Sequence, residues 1–117
     1  SNTPLAALVL MNDPTYVEAA RAFAERVLLE APADDAARIS FAMREATARI
    51  PTPEEVGVLQ ALLESSRLRY GEEPDAVEAL LSVGSAPRST AYTPAELAAW
   101  THLTRTMLNL HETITRE

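Results

Sequence analysis

The chain has 117 residues, a net charge of −7 at pH 7 and no cysteine. This length fits one domain and is enough to bury a core without metal or disulfide cross-links. The negative charge argues against a nucleic-acid surface, which needs a basic stripe, and against electrostatic docking to anionic lipid. Without cysteine, the chain cannot form disulfides, cysteine-ligated zinc, iron–sulfur clusters or covalent c-type haem within itself.

The first apolar run extends from Pro4 to Met11. A membrane-spanning helix needs about 20 apolar residues, so we expect no membrane insertion. The run also lacks the basic segment that opens a signal peptide. Because the chain starts at Ser1 without Met, we expect it to be an excised piece of a longer protein.

Prolines mark the predicted helix starts. A capping side chain before a proline accepts an N–H of the first turn, and proline at the first helical position loses no hydrogen bond. Four pairs fit this pattern, and Glu73-Pro74 is a weaker version. The four are Thr3-Pro4, Asp13-Pro14, Thr52-Pro53 and Thr93-Pro94. Glu55 and Glu96 complete capping boxes with Thr52 and Thr93.

Periodicity and breakers predict an all-α, single-domain bundle of about six helices over residues 1–117, joined by short loops. No segment alternates with a period of two, as a strand would. Pro4 to Met11 is apolar on every side, so we expect that helix in the middle of the bundle. The six predicted helices are Pro4 to Met11, Pro14 to Leu29, Asp34 to Arg49, Pro53 to Tyr70, Pro74 to Val83 and Thr93 to Arg116.

The last helix carries the only tryptophan and has two faces. At about 100° per residue, Thr104, Met107 and His111 fall near the line of Trp100, so we expect Trp100 to be buried. Leu97, Leu103, Leu108 and Leu110 flank that line. The far side holds Ala98, His102, Arg105 and Asn109.

The other helices have apolar faces of the same kind. In the helix from Pro14, Glu18, Arg21 and Glu25 are predicted to face water. In the helix from Asp34, Phe41 points away from the inner face, which predicts contact with a second element or with the rest of the protein. Gly71 is predicted to follow the helix from Pro53, and Gly84 to end the short helix after it. The predicted inner residues are Tyr16, Val17, Ala20, Phe23, Ala24, Val27, Leu28, Ile39, Ala42, Met43, Ala46, Ile50, Val56, Leu59, Leu63, Tyr70, Val77, Leu80 and Leu81.

His111 is the most unusual candidate, because it is a titratable group within an apolar stripe. His102 lies on the opposite side of the same helix, so the two cannot share a metal within one chain. We expect His111 to be a partly buried structural histidine, and Met107 to be a core residue.

The remaining polar groups have structural explanations. The carboxylates Asp34-Asp35, Glu54-Glu55 and Glu72-Glu73-Asp75 lie at helix beginnings, where they favour the helix dipole. Arg67 and Arg69 suit the end of their own helix. There is no glycine-rich phosphate loop, cysteine nucleophile or recognisable catalytic triad. We therefore predict no catalytic residue, metal ligand or cofactor in this chain.

The sequence resembles the C-terminal domain of unknown function found in planctomycete-type cytochrome c multidomain proteins. The match covers nearly the whole chain, and the motifs at its two ends are specific. Ala6 stands where the family has glutamine, and His111 where aspartate is usual. The matching positions are Asn2 to Leu5, Asn12 to Pro14, Val17 to Ala20, Ala36, Arg38, Ile39, Arg49, Pro51 to Glu55, Val83-Gly84, Pro94 to Trp100, Leu108 to Leu110 and Arg116-Glu117.

The resemblance implies an exported or periplasmic protein in which a haem-binding cytochrome c-like domain precedes this one. We expect a non-catalytic helical packing and interaction module, with the upstream domains of the same polypeptide as partners and Phe41 as a contact residue. The alternative is an accessory part of an active site or redox centre whose chemistry lies upstream, such as carbohydrate breakdown. The resemblance supplies no catalytic residues.

Overall fold

The computed structural model describes residues 13–116, with side chains for residues 13–111. These residues form five helices: α1 (Pro14–Glu30), α2 (Asp35–Thr47), α3 (Pro53–Glu72), α4 (Pro74–Leu81) and α5 (Pro94–Arg116). No strand occurs in this part of the chain, so the all-α class is confirmed. The predicted total of about six helices exceeds the five described, and the predicted helix Pro4 to Met11 lies outside the described residues.

Side-chain caps fix the starts of α1 and α3 as the sequence predicts, whereas Glu73, the weaker predicted cap before α4, forms no side-chain cap hydrogen bond. Asp13 accepts hydrogen bonds from the backbone N–H groups of Thr15 and Tyr16, at 2.9 and 3.3 Å. The capping box before α3 is complete, with Glu55 N–H donating to Thr52 Oγ1 at 3.2 Å and Thr52 N–H donating to Glu55 Oε1 at 2.8 Å. Each cap satisfies N–H groups that have no partner within the helix.

Three helix ends differ from the prediction, the simplest being α4, which ends at Leu81 and not at Val83. α2 ends at Thr47 because Ala48 adopts the left-handed conformation, with φ 60° and ψ 24°, and its N–H donates to the carbonyl of Arg44. The chain therefore turns before Ile50, which is 74% exposed and is wrongly predicted to be inward-facing. α3 continues to Glu72, so Gly71 lies within the helix instead of after it.

α5 lies at the centre of the fold and contacts all four other described helices. Trp100 is fully buried, which confirms the prediction, and the run Leu97 to Thr101 is buried at every position. Ala98 is wrongly predicted to lie on an outer side, because neighbours cover α5 over more than one face. Leu110, near the end of the helix, is 47% exposed.

The predicted water-facing side of α1 instead holds the connection between α4 and α5. Arg21 is only 2% exposed, and its Nη2 donates to the carbonyl of Ala86 at 2.7 Å. Glu18 accepts from the N–H of Ala86 at 2.6 Å, and Glu25 accepts from the N–H of Ser89 at 2.7 Å. The sequence pattern correctly marks these three side chains as polar, but all three bind backbone of the connection, and Arg21 also pairs with Glu25 at 3.1 Å.

Gly84 makes this close approach possible. Its φ of +88° is unfavourable for residues with a side chain, and a Cβ atom there would collide with the Glu18 carboxylate. Further along the connection, the Tyr92 hydroxyl donates to the carbonyl of Leu28 at 2.9 Å. The connection is thus attached to both ends of α1.

Candidate functional site

The C-terminal half of α2 forms one wall of a surface groove of about 450 Å³. Its helical residues Phe41, Arg44 and Glu45 share a side because they are three or four positions apart, and Ala48 follows directly after the helix. The core-facing residues Ile39, Ala42 and Met43 lie on another side of the helix. We call this surface the α2 groove, and it is lined by Phe41, Arg44, Glu45, Ala48, Arg49 and Ile50.

The backbone holds Ile50 in an outward position. The next residue, Pro51, is buried, while Ile50 itself is 74% exposed. A residue before proline is restricted to extended backbone conformations. The side chain of Ile50 is therefore displayed at the edge of the α2 groove by a restrained segment, and burial against a partner would stabilise the complex.

Two of the three charged side chains in the α2 groove already have partners. Glu45 pairs with Arg26, and Arg49 forms a two-point ion pair with Glu55 at 2.8 and 2.5 Å. The Arg49 guanidinium, together with the backbone N–H of Thr52, lowers the pKa of Glu55 to about 2. Arg44 is exposed and forms no ion pair with any residue in the described range.

Phe41 belongs both to the groove and to the edge of the core. It lines the α2 groove, but it is also partly buried against the hydrophobic core. Removing its ring would therefore disturb the fold as well as the surface. Its predicted role in contacting another part of the protein stays a prediction.

The two histidines lie on α5 in different surroundings. His111 is partly exposed, and its role as a structural polar group stays a prediction. His102 meets Tyr70 edge-on, with 6.4 Å between ring centroids, and its Nδ1 lies 3.4 Å from Nη2 of Arg105. Burial, followed by the charges of Arg105 and Arg69, lowers the pKa of His102.

Several of the predicted carboxylates act in capping or ion pairing, but Glu72 is the last residue of α3 and so does not lie at a helix beginning as predicted. Asp34 accepts from the N–H of Ala37 at 2.9 Å and so caps α2. Asp35 binds Arg67, and Glu55 completes the cap of α3. In the part of the chain with described side chains, no group of three histidine or acidic residues is arranged to hold a metal ion.

Arg67 connects three helices. The sequence predicts only that it suits the end of its own helix. Its guanidinium binds Asp35 at 2.7 and 3.0 Å, Glu96 at 2.7 Å and Glu64 at 2.7 Å. Glu96 also accepts the indole N–H of Trp100 at 3.0 Å. The hydrogen bond to Arg67 lowers the pKa of Asp35. This cluster connects the starts of α2 and α5 with α3.

The sequence predicts only part of this cluster, namely the contacts between residues of the same helix. Glu64 and Arg67 are spaced as neighbours on one helix, as are Glu96 and Trp100. Nothing local indicates that Asp35 joins them from another helix. Glu96 N–H donates to Thr93 Oγ1 at 3.3 Å as the capping box predicts, but its carboxylate binds Arg67 and Trp100.

Residues 1–63 match the model of a family described as PSD1, protein of unknown function (DUF1553). The match covers more than half of the 117 residues, so the chain belongs to this family. No curated protein and no solved structure matches it. Within the described residues, none of the helices has the length and apolar character needed to cross a membrane.

Proposed function

We propose that this chain is a non-catalytic helical module that docks onto other domains of a longer polypeptide, and that the α2 groove is a point of contact. The observation that carries the proposal is the combination of a displayed Ile50, the Phe41 ring and an exposed Arg44 at one site. Docking interfaces combine an apolar centre with arginine and aromatic side chains.

The size of the groove limits what it contributes. A volume of about 450 Å³ accommodates a few side chains of a partner, and not a whole protein surface. Stable interfaces bury about 800 Å² on each partner. The α2 groove is therefore an anchor point within a wider contact. Burying Ile50 fully would contribute about 1.5–3 kcal/mol before the costs of association.

The partner in this proposal is the upstream part of the same polypeptide, in an exported or periplasmic protein with a cytochrome c-like domain. The support is the sequence resemblance alone, since the family matched over residues 1–63 is described as of unknown function. Any haem would then be bound upstream, and this chain would contribute packing surface. The competing accessory role in an active site calls for polar side chains that converge in a pocket. In the α2 groove, Glu45 and Arg49 are instead occupied by ion pairs, which favours docking.

Hydroxyl-radical footprinting of the full-length natural protein tests the proposal. Leu68 on α3 is 70% exposed and lies outside the α2 groove, so it is a matched reference for Ile50 at 74%. If the groove is a docking point, Ile50 is protected from oxidation while Leu68 is labelled. Equal labelling of the two, after correction for their intrinsic reactivity, would contradict docking at this site.

A further inference from the structure

We infer that the α2 groove binds an acidic, apolar segment of the same polypeptide outside residues 1–117, with an aspartate or glutamate of that segment on Arg44 and a neighbouring apolar side chain between Phe41 and Ile50. This inference rests on the proposed docking function and specifies the chemistry of the partner. The inference is based on the charge of Arg44, on its position among the groove residues and on the restrained backbone of Ile50.

Arg44 differs from the other arginines of the chain. All ten basic residues are arginine, and side chains are described for nine of them. Among those nine, every arginine except Arg44 interacts with a carboxylate, a carbonyl or a histidine of the chain. The eight are Arg21, Arg26, Arg38, Arg49, Arg67, Arg69, Arg88 and Arg105. Arg44 is therefore the one arginine of these nine that is exposed and has no such partner in the described part of the chain.

The groove carries a local positive charge because of this arginine. Glu45 is neutralised by Arg26, and Arg49 by Glu55. Arg44, in the last turn of α2, is then the charged groove residue that forms no ion pair within the described residues. A guanidinium offers two parallel N–H donors that match a carboxylate, and such pairs are short and charge-assisted. Nucleic-acid binding needs a basic stripe, which one arginine does not provide, whereas a single guanidinium matches a single protein carboxylate.

The apolar part of the groove is held in place before a partner arrives. Phe41 is packed against the core, and buried Pro51 restrains the backbone of Ile50. Between them, Ala48 is the one non-glycine residue with positive φ among residues 13–116, and it lines the groove. Backbone strain of this kind is found at binding sites, where surrounding structure maintains it. A preformed surface loses less entropy on binding.

The test introduces a single reactive amine at the site. The 117 residues contain no lysine, so Arg44→Lys gives the domain one lysine while keeping the charge. The full-length variant is treated with a water-soluble carbodiimide, which joins an amine to a carboxylate only when the two are in contact, and the products are mapped by mass spectrometry. The matched control is Arg69→Lys, because Arg69 is 53% exposed and pairs with Glu73 at 3.6 Å. The control is expected to cross-link to Glu73.

The expected product joins position 44 to an aspartate or glutamate outside residues 1–117 that has an apolar residue within about two positions. With a working control, a cross-link only to carboxylates of residues 1–117, or none, would overturn the inference. A cross-link between two copies, detected with mixed isotope-labelled protein, would overturn it as well.

Arg44→Gln provides a second measurement that does not depend on lysine geometry. Loss of a charge-assisted pair is expected to shift the docked-to-undocked ratio about tenfold, so that Ile50 labelling rises in the full-length protein. Unchanged Ile50 protection would contradict a role for Arg44. If Ile50 is protected in the natural protein but both Arg44 experiments fail, docking stands and the acidic partner is wrong. If Ile50 is labelled like Leu68 in the natural protein, docking itself is wrong.

Discussion

The N-terminal (first) end and the C-terminal (last) end of α2 differ in whether their polar side chains have partners within the domain. At the first end, Asp34 caps the helix and Asp35 binds Arg67. Arg67 also binds Glu96, whose carboxylate accepts the indole N–H of Trp100. At the last end, Ala48 turns the chain and Arg44 remains exposed. Polar groups at the first end are satisfied within the domain, so that end contributes to the fold. The last end presents charge and apolar surface that the described residues do not cover.

The largest expected effect is at the first end. Trp100→Ala should lower the free energy of unfolding by about 3–5 kcal/mol, because it removes a fully buried aromatic side chain and leaves a cavity. It also removes the N–H donor to Glu96. Urea unfolding followed by circular dichroism measures the change. Trp100→Phe, which retains most of the apolar volume, is the control and should cost clearly less; equal costs would contradict the importance of packing here.

The Arg67 cluster is expected to give the next largest effect. Arg67→Met should lower the free energy of unfolding by about 1–3 kcal/mol, because Asp35 and Glu96 lose a charged partner while partly buried. Asp35→Asn, combined with it in a double-mutant cycle, should show a smaller loss than the sum of the single variants. Simple additivity would mean that the Asp35–Arg67 contact contributes nothing to stability.

A substitution at Ala48 should have a smaller effect on the free energy of unfolding, and this effect should be stabilising. Ala48→Gly should raise the free energy of unfolding by about 0.5–1 kcal/mol, because glycine relieves left-handed strain but adds freedom to the unfolded chain. Ala22→Gly, at an exposed position inside α1, is the matched control and should lower it by about 0.5–1 kcal/mol. Thermal unfolding of both variants gives the comparison, and a destabilised Ala48→Gly would contradict the role of strain.

A still smaller effect on the free energy of unfolding is expected from the protonation of His102. Burial lowers that pKa in the folded state, so the unfolded chain binds the proton first as pH falls below the ordinary value of 6.5. Stability should be flat above that pH and should decline below it. Asp35 and Glu55, whose pKa values are lowered, add their own losses only below about pH 4.5. His102→Gln should reduce the decline in the free energy of unfolding between pH 5 and about 6.5, as measured by urea unfolding. If the decline is unchanged in this variant, another group causes it.

The fold could be predicted from the sequence where the signal is local. Caps before prolines locate the starts of α1 and α3, and periodicity places Trp100 in the core. Helix ends were less predictable, because nothing in the sequence marks Ala48 as left-handed. Glycine is the usual residue there. That one backbone conformation moves Ile50 from the predicted core to the surface.

Long-range partners could not be predicted at all. Arg21 is polar in the pattern, but its burial depends on a loop about 65 residues away in sequence, whose carbonyls it binds. The α2 groove itself was not predicted, and the predicted contact role of its residue Phe41 stays a prediction. Arg44 stands out only after every other described arginine has been matched with its partner in space. Such pairings depend on tertiary structure, which single-sequence periodicity does not contain.

The most direct test of the account is the labelling of Phe41 in full-length protein that carries Ile50→Ser. Because Ile50 is exposed, the substitution should change the free energy of unfolding by less than about 0.5 kcal/mol. The loss of its docking contact should raise hydroxyl-radical labelling of Phe41 severalfold, whereas Leu68→Ser should leave that labelling unchanged. Equal Phe41 labelling in Ile50→Ser, Leu68→Ser and the natural protein would contradict the claim that this end of α2 is a docking surface.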